Sequence, residues 1–284
     1  MAKRAICVGI NKFAKYPQFT LNGCVNDAKD MVALCKGLLG FKATEVKLLT
    51  DAQATKAAIM AELKAAVADA KAGKISYLLF SWSSHGTQVA DKSGDEPDGM
   101  DEAFVPYDID QKGNDWDPAH IISDDELHDL FAQLPPNVLL EVYLDTCHSG
   151  SGLREAFSLT APRPKFIAPL ATPATARQAA VRGFTLQPRT TAKGKSKGAA
   201  KALAGEHHIL WSGCKDNQTS ADAFFSGRYN GAFTYYFCKV MNATHNKQSR
   251  KAVVAEMRKQ MKGQFTQVPQ LEGNATNRQS VILY

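Results

Sequence analysis

The chain has 284 residues, of which 44% are hydrophobic and 22% charged. That balance excludes disorder over the whole length, and a chain this long buries a core without disulfide staples. No apolar run reaches 18 residues, so no spanning helix and no membrane partner is expected. The basic start is followed by too short an apolar run for a secretory leader. Six cysteines lie far apart with no C-x-x-C spacing, which points to reduced thiols and a cytoplasmic protein.

Taken in chain order, residues 5–10 form a short continuous apolar run of the kind that makes a buried parallel strand. Residues 26–39 then repeat apolar positions with helical spacing. A strand-like run over 45–50, a helical pattern over 55–72 and a third strand over 75–82 follow. Next comes an acidic block: residues 91–129 hold 14 of the 28 acids and only Lys92 and Lys112 as bases. Within it, Ser123 with Glu126 three residues on is the capping-box signature of a helix over 124–134. A fourth strand covers 138–145. Residues 156–205 carry nine bases, five prolines and no acid, and read as a basic mobile linker. Removing them turns the net charge of +6 into −3, because 34 minus 9 leaves 25 bases against 28 acids. Sparse aromatic residues in that block argue against a nucleic-acid partner. Strands over 208–212 and 280–284 and helices over 232–241 and 250–261 complete the chain. Six strands alternating with helices indicate an α/β doubly wound, mostly parallel six-stranded sheet with helices on both faces. Sites in such sheets lie at the carboxyl ends of the strands.

Two of those ends carry chemistry. The third strand runs out into Ser83-Ser84-His85-Gly86, the fourth into Asp145-Thr146-Cys147-His148-Ser149-Gly150. Neighbouring strands would bring the two together. A cysteine attacks as thiolate, and an imidazole takes its proton and returns it to the leaving group. The backbone N–H groups of Gly86 and Cys147 could hold an oxyanion. In extended chain, positions i and i+2 share a side, so Asp145 goes with Cys147 and Ser83 with His85, while His148 faces away. A carboxylate beside a nucleophile raises the thiol's pKa. Asp145 is better placed in an adjoining pocket that takes a cation from the substrate, which favours Arg or Lys before the scissile bond. A zinc enzyme using His120, His128 and His148 fails on spacing.

These motifs resemble those of the metacaspases, and most closely of their bacterial relatives, the orthocaspases. The resemblance is carried by residues 5–11, 21–28 and 83–87, by Gly94-Asp-Glu-Pro-Asp-Gly-Met-Asp101-Glu102, and by residues 122–127, 145–150 and 212–222. It implies a caspase-like fold with a large-subunit region at 1–155, the linker at 156–205 and a small-subunit region at 206–284, together one domain. It implies a cysteine endopeptidase with His85 and Cys147 as the dyad. Asp27 and Asp145 would hold a basic substrate side chain in a pocket lined by Cys24 and Ser83. Asp27 could alternatively cap the helix that follows it.

The resemblance also implies calcium, with Asp124 and Asp125 as one ligand pair and Asp98 or Asp101 as a third. Arg154 stands near the place of an expected fourth acid, and a solvated acidic loop is the plainer reading. An enzyme cutting after Arg or Lys that carries an exposed basic linker would cut itself. The candidates are Arg163, Lys165, Arg177, Arg182, Arg189, Lys193, Lys195, Lys197 and Lys201. Before the cut the linker could cover the pocket and hold a zymogen. The alternatives are an inactive scaffold of the same fold and a legumain- or gingipain-like protease. The partners expected are peptide or protein substrates. A monomer without a recruitment prodomain is expected.

Overall fold

The computed structural model describes residues 2–90, 100–147, 162–168, 170, 208–215 and 218–282. In chain order the strands are β1 (Lys3–Gly9), β2 (Val46–Thr50), β3 (Tyr77–Ser83), β4 (Gly86–Ala90) and β5 (Met100–Phe104). A two-residue hairpin pair follows, β6 (Gln111–Lys112) and β7 (Asp115–Trp116), then β8 (Ile122–Ser123), β9 (Leu139–Asp145) and β10 (Arg163–Pro164). The last are β11 (His208–Ser212), β12 (Ala221–Phe225), β13 (Arg228–Gly231) and β14 (Gln270–Glu272). The α-helices are α1 (Cys24–Gly37), α2 (Lys56–Lys71), α3 (Asp124–Phe131), α4 (Ala232–Thr244), α5 (Arg250–Met261) and α6 (Ala275–Gln279).

Six strands form one sheet in the order β14-β11-β9-β3-β1-β2, all parallel except β14. The central strands have two buried faces because alternate side chains enter different cores. Ile6, Val8, Leu78, Phe80, Trp82, Leu140, Val142 and Leu144 pack with Ile59, Leu63 and Val67 of α2 and Leu127 and Phe131 of α3. Ala5, Cys7, Tyr77, Leu79 and Tyr143 pack with Met31, Leu34 and Cys35 of α1, Phe233 and Phe237 of α4, and Val253 and Met257 of α5. Continuing that alternation, Ser83 and Asp145 turn toward the face that carries α1 and α4.

On that face Glu141 is buried and ion-paired with buried Arg250 at 2.7 Å. Tyr77, Tyr143 and Trp211 also donate to its carboxylate. Burial alone would raise the Glu141 pKa, but the guanidinium and these donors hold it below the ordinary carboxylate range.

The sheet's sixth strand is not the one expected from sequence. Residues 280–282 are outside strands, and β14 takes the edge place, antiparallel to β11. Ile282 is fully buried, with Asn246 Nδ2 donating to its carbonyl at 2.7 Å and Arg250 donating to that of Val281. An apolar terminal run here fills a core rather than joining the ladder. The ladder place goes to Gln-Leu-Glu, which has no apolar run to announce it. Smaller antiparallel sheets, β4-β5-β8 and β10-β12-β13, lie beyond the main one.

Candidate active site

Strands β3 and β9 pair in parallel with Ser83 opposite Asp145. His85 and Cys147 thus leave adjacent strands at the same height, two residues beyond a paired position. Gly86 lets the two exits close on each other: a Cβ there would lie 1.8 Å from the Cys147 carbonyl oxygen. His85 is buried, and its ring lies 5.4 Å from that of Phe13. Its Nε2 is 2.7 Å from the Phe19 carbonyl oxygen. A carbonyl only accepts, so Nε2 carries the proton and Nδ1 is the basic nitrogen. Among the described residues Nδ1 has no hydrogen-bond partner. Burial lowers the imidazole's pKa to about 4, so it is neutral at pH 7. Cys147 is buried, and the Ser220 N–H donates to its Sγ. The same residue binds the neighbouring acid, since Ser220 Oγ donates to Asp145 Oδ1 at 2.6 Å.

Beside His85 and Cys147 lies a polar pocket. Asp27 comes from the first turn of α1, Ser83 from the end of β3, and Asp145 from the end of β9. Each carboxylate is held by fixed donors. Asp27 accepts from Ser83 Oγ at 2.7 Å, Asn230 Nδ2 at 2.9 Å and the Gly231 N–H at 2.9 Å. Asp145 accepts from the Thr234 N–H at 3.0 Å and from its hydroxyl at 2.7 Å. The pocket is filled by Lys165. Its Nζ lies 3.1 Å from Asp27, 3.0 Å from Asp145 and 2.9 Å from Ser83 Oγ, with no exposure to solvent. Two hydrogen bonds, to Asp27 and Ser83, and the ion pair with Asp145 hold the ammonium. Burial opposes the charge, yet the facing acids, Asp145 foremost, raise the Lys165 pKa well above its ordinary value. Burial pushes Asp27 up to about 6 even with that cation beside it.

The backbone of Lys165 is as closely held as its side chain. Its carbonyl oxygen accepts from the N–H of Gly86 at 3.0 Å and of Cys147 at 3.3 Å. Its own N–H donates to the Ser220 carbonyl at 3.0 Å. Arg163 and Pro164 pair antiparallel with Asp222 and Ala221 of β12, and Arg163 Nη1 donates to the Thr20 carbonyl. On the other side Ile167 N–H donates to the Gly86 carbonyl at 2.9 Å. Residues 163–167 therefore lie across the strand ends as an extended peptide, with one carbonyl set between two N–H donors beside a thiol. A caspase-domain model matches residues 2–280. The chain belongs to the caspase-domain family.

Among its relatives, the chain is 33% identical to "Metacaspase-1A" of Aspergillus clavatus over 95% of its own length and 65% of that protein's. It is 32% identical to "Metacaspase-1" of Emericella nidulans over 96% of its length and 70% of that protein's. It thus spans about two thirds of the relatives it matches. A crystal structure of a Geobacter sulfurreducens protein covers 99% of the chain and 97% of its own at a TM-score of 0.66 and 24% identity. Caspase-1 from Spodoptera frugiperda covers 96% and 86% at 0.53 and 12%. These two show the fold, an α/β caspase-like sheet flanked by helices.

The caspase domain brings His85, Gly86, Cys147, Cys24, Asp27, Ser83 and Asp145 into one region. Cys24 is buried close to Lys165, and burial raises its thiol pKa. Asp27 is not a helix cap: α1 begins at Cys24 with Gly23 before it, and the Asp27 side chain turns into the pocket. Lys165 departs from the picture of an exposed basic linker, as do Phe166 and Ile167, which are also buried. The candidates Arg177, Arg182, Arg189, Lys193, Lys195, Lys197 and Lys201 lie outside the described residues, as does Asp98.

Asp101 and Asp124 are buried, and Ser123 and Glu126 form the capping box of α3. Among the described residues no three His, Cys, Asp or Glu side chains group as a metal site. Sequence reasoning missed Phe19, Ser220, Asn230, Gly231 and Thr234. Phe19 acts through its carbonyl, and Ser220 and Gly231 largely through the backbone, which carries no residue signature. No described helix is long and apolar enough to cross a membrane.

Proposed function

We propose that this protein is a cysteine endopeptidase of the metacaspase type, nearest by its motifs to the orthocaspases, that cleaves after lysine or arginine. We propose further that its first substrate is its own Lys165–Phe166 bond. The reading rests on one observation: Lys165 places a basic side chain between two carboxylates while its carbonyl sits between the Gly86 and Cys147 N–H groups.

In that reading His85 Nδ1 takes the Cys147 thiol proton, and the sulfur adds to the Lys165 carbonyl carbon. The two N–H groups hold the oxyanion. The bond to Phe166 breaks, and its nitrogen takes the proton from Nδ1. Water, deprotonated by the same nitrogen, then splits the thioester and restores the thiol. The Phe19 carbonyl keeps the ring in the tautomer that exposes Nδ1. Until the cut, Lys165 denies the pocket to other chains, which makes the intact protein a zymogen.

Cleavage after Lys165 of the 284-residue, 30.9 kDa chain yields pieces of about 18 and 13 kDa in proportion to length. Incubated wild type should give both, with Phe166 as a new N-terminus, while Cys147→Ala and Lys165→Met stay intact. The processed enzyme should hydrolyse fluorogenic Lys and Arg peptides and leave Asp peptides uncut. An intact wild-type band together with inert peptides would return the scaffold reading.

Calcium enters the proposal as a stimulator, since the acids at 91–129 repel one another until a cation intervenes. Ala103 pairs with Ser123, the N-cap of α3, so Asp101 is two residues from that pairing along β5, and Asp124 and Asp125 are one and two residues from it along α3. These three do not by themselves form a metal cluster, so no chemical step runs through the ion. Unchanged turnover across an EGTA titration would remove calcium from the reading.

A further inference from the structure

We infer that this enzyme also reads its substrate beyond the scissile bond: the Gly86 carbonyl binds the amide of the second residue after the cut, and an apolar site takes that residue's side chain. The inference rests on the proposed cleavage after Lys165. Gly86 opens β4, which pairs with β5 so that Gly86 faces Phe104. The ladder bond next to that pair runs from Val105 N–H to the His85 carbonyl. By the alternation of an antiparallel ladder, Gly86 then turns its own N–H and C=O to the opposite edge.

The segment 165–167 lies on that edge. Gly86 N–H donates to Lys165, Gly86 C=O accepts from Ile167, and the bridge centres on Phe166. One residue thus grips both sides of the bond to be broken. The N–H that steadies the oxyanion belongs to the residue that anchors the departing half. Any slip of the departing half moves the scissile carbonyl relative to its donor. Ile167 is 4% exposed and belongs to the same apolar cluster as Phe13, Trp82 and Phe104. Phe166 is buried as well.

Four internally quenched peptides built on Arg-Pro-Lys-Phe-X-Ala test this with the full-length chain after it has cut itself at Lys165, X being isoleucine, N-methylisoleucine, proline or aspartate. Removing the amide proton should lower kcat/KM about tenfold for the N-methyl and proline peptides, the worth of one lost hydrogen bond. Aspartate should lower it about a hundredfold, because its charge must leave water for an apolar site. Mass spectrometry should place every cut after lysine. Wild-type rates for the N-methyl peptide would overturn the carbonyl anchor, and equal rates for aspartate and isoleucine would overturn the apolar site. Either result would leave the lysine-directed peptidase standing. No cleavage even of the isoleucine peptide would overturn both readings.

Discussion

Gly231→Ala isolates the acidic pocket from His85 and Cys147. Gly231 sits at φ −67° and ψ 135°, a conformation alanine adopts without strain. Its N–H bond to Asp27 is backbone and survives the change. The added methyl is another matter. An ideal Cβ would lie 2.1 Å from Asp145 Oδ2 and 2.2 Å from Lys165 Nζ, where real Cβ atoms essentially never come within 3.0 Å. The ammonium must therefore retreat from the Asp145 side, giving up its ion pair with Asp145. One such charge-assisted contact is worth about 1.5–3 kcal/mol, or roughly 10- to 10²-fold in kcat/KM for lysine substrates. Pressure on Asp145 should cost about 1–3 kcal/mol of stability, as overpacking does. The assay is kcat/KM for matched peptides with lysine or alanine before the scissile bond, with a thermal midpoint as the folding control. Lysine cleavage should collapse toward the alanine rate. A folded variant that cuts lysine peptides at the wild-type rate would refute the pocket assignment.

Acid should weaken recognition of basic residues. Asp27 lies near 6 with a cation beside it, so an empty pocket holds it at or above that value, and its charge is lost as pH falls through it. The kcat/KM profile for lysine peptides should carry an acid limb at about pH 6 or higher, and Asp27→Asn should erase that limb at a lower plateau. Arg250→Met leaves Glu141 charged, buried and without its cation, which should cost about 3–5 kcal/mol in urea denaturation. The Glu141–Arg250 contribution is present above the unfolded carboxylate pKa and lost as pH falls through the depressed folded value. Adding Glu141→Gln to Arg250→Met should recover part of the loss. A double variant no more stable than the single one would contradict this account.

His85 and Cys147 could be paired without coordinates because each follows an apolar run that reads as a buried strand and is closed by glycine. Because a two-residue period needs no tertiary information, the parity of those strands put Asp145 with Cys147 and Ser83 with His85, and the structure sets Ser83 opposite Asp145. Asp27 was different. It lies on a helix, and nothing in its own neighbourhood says that this turn of α1 faces the ends of β3 and β9; only the likeness to metacaspases pointed to it. The small sheets around the site were not legible either, being strands of two to five residues with mixed polarity.

Composition and periodicity are properties of neighbours along the chain, and they were enough for the alternating α/β order, the two charge blocks and the cysteine–histidine pair. The seat of Lys165 is a property of residues far apart: Asp27, Ser83, Asp145 and Ser220 each supply one partner, and Gly231 supplies room and the N–H that holds Asp27. Read locally, a lysine among prolines and alanines belongs in water. Folding gathers enough acceptors from distant segments to replace that water, and so a residue that looked solvent-exposed becomes the one held at the strand ends beside Gly86 and Cys147.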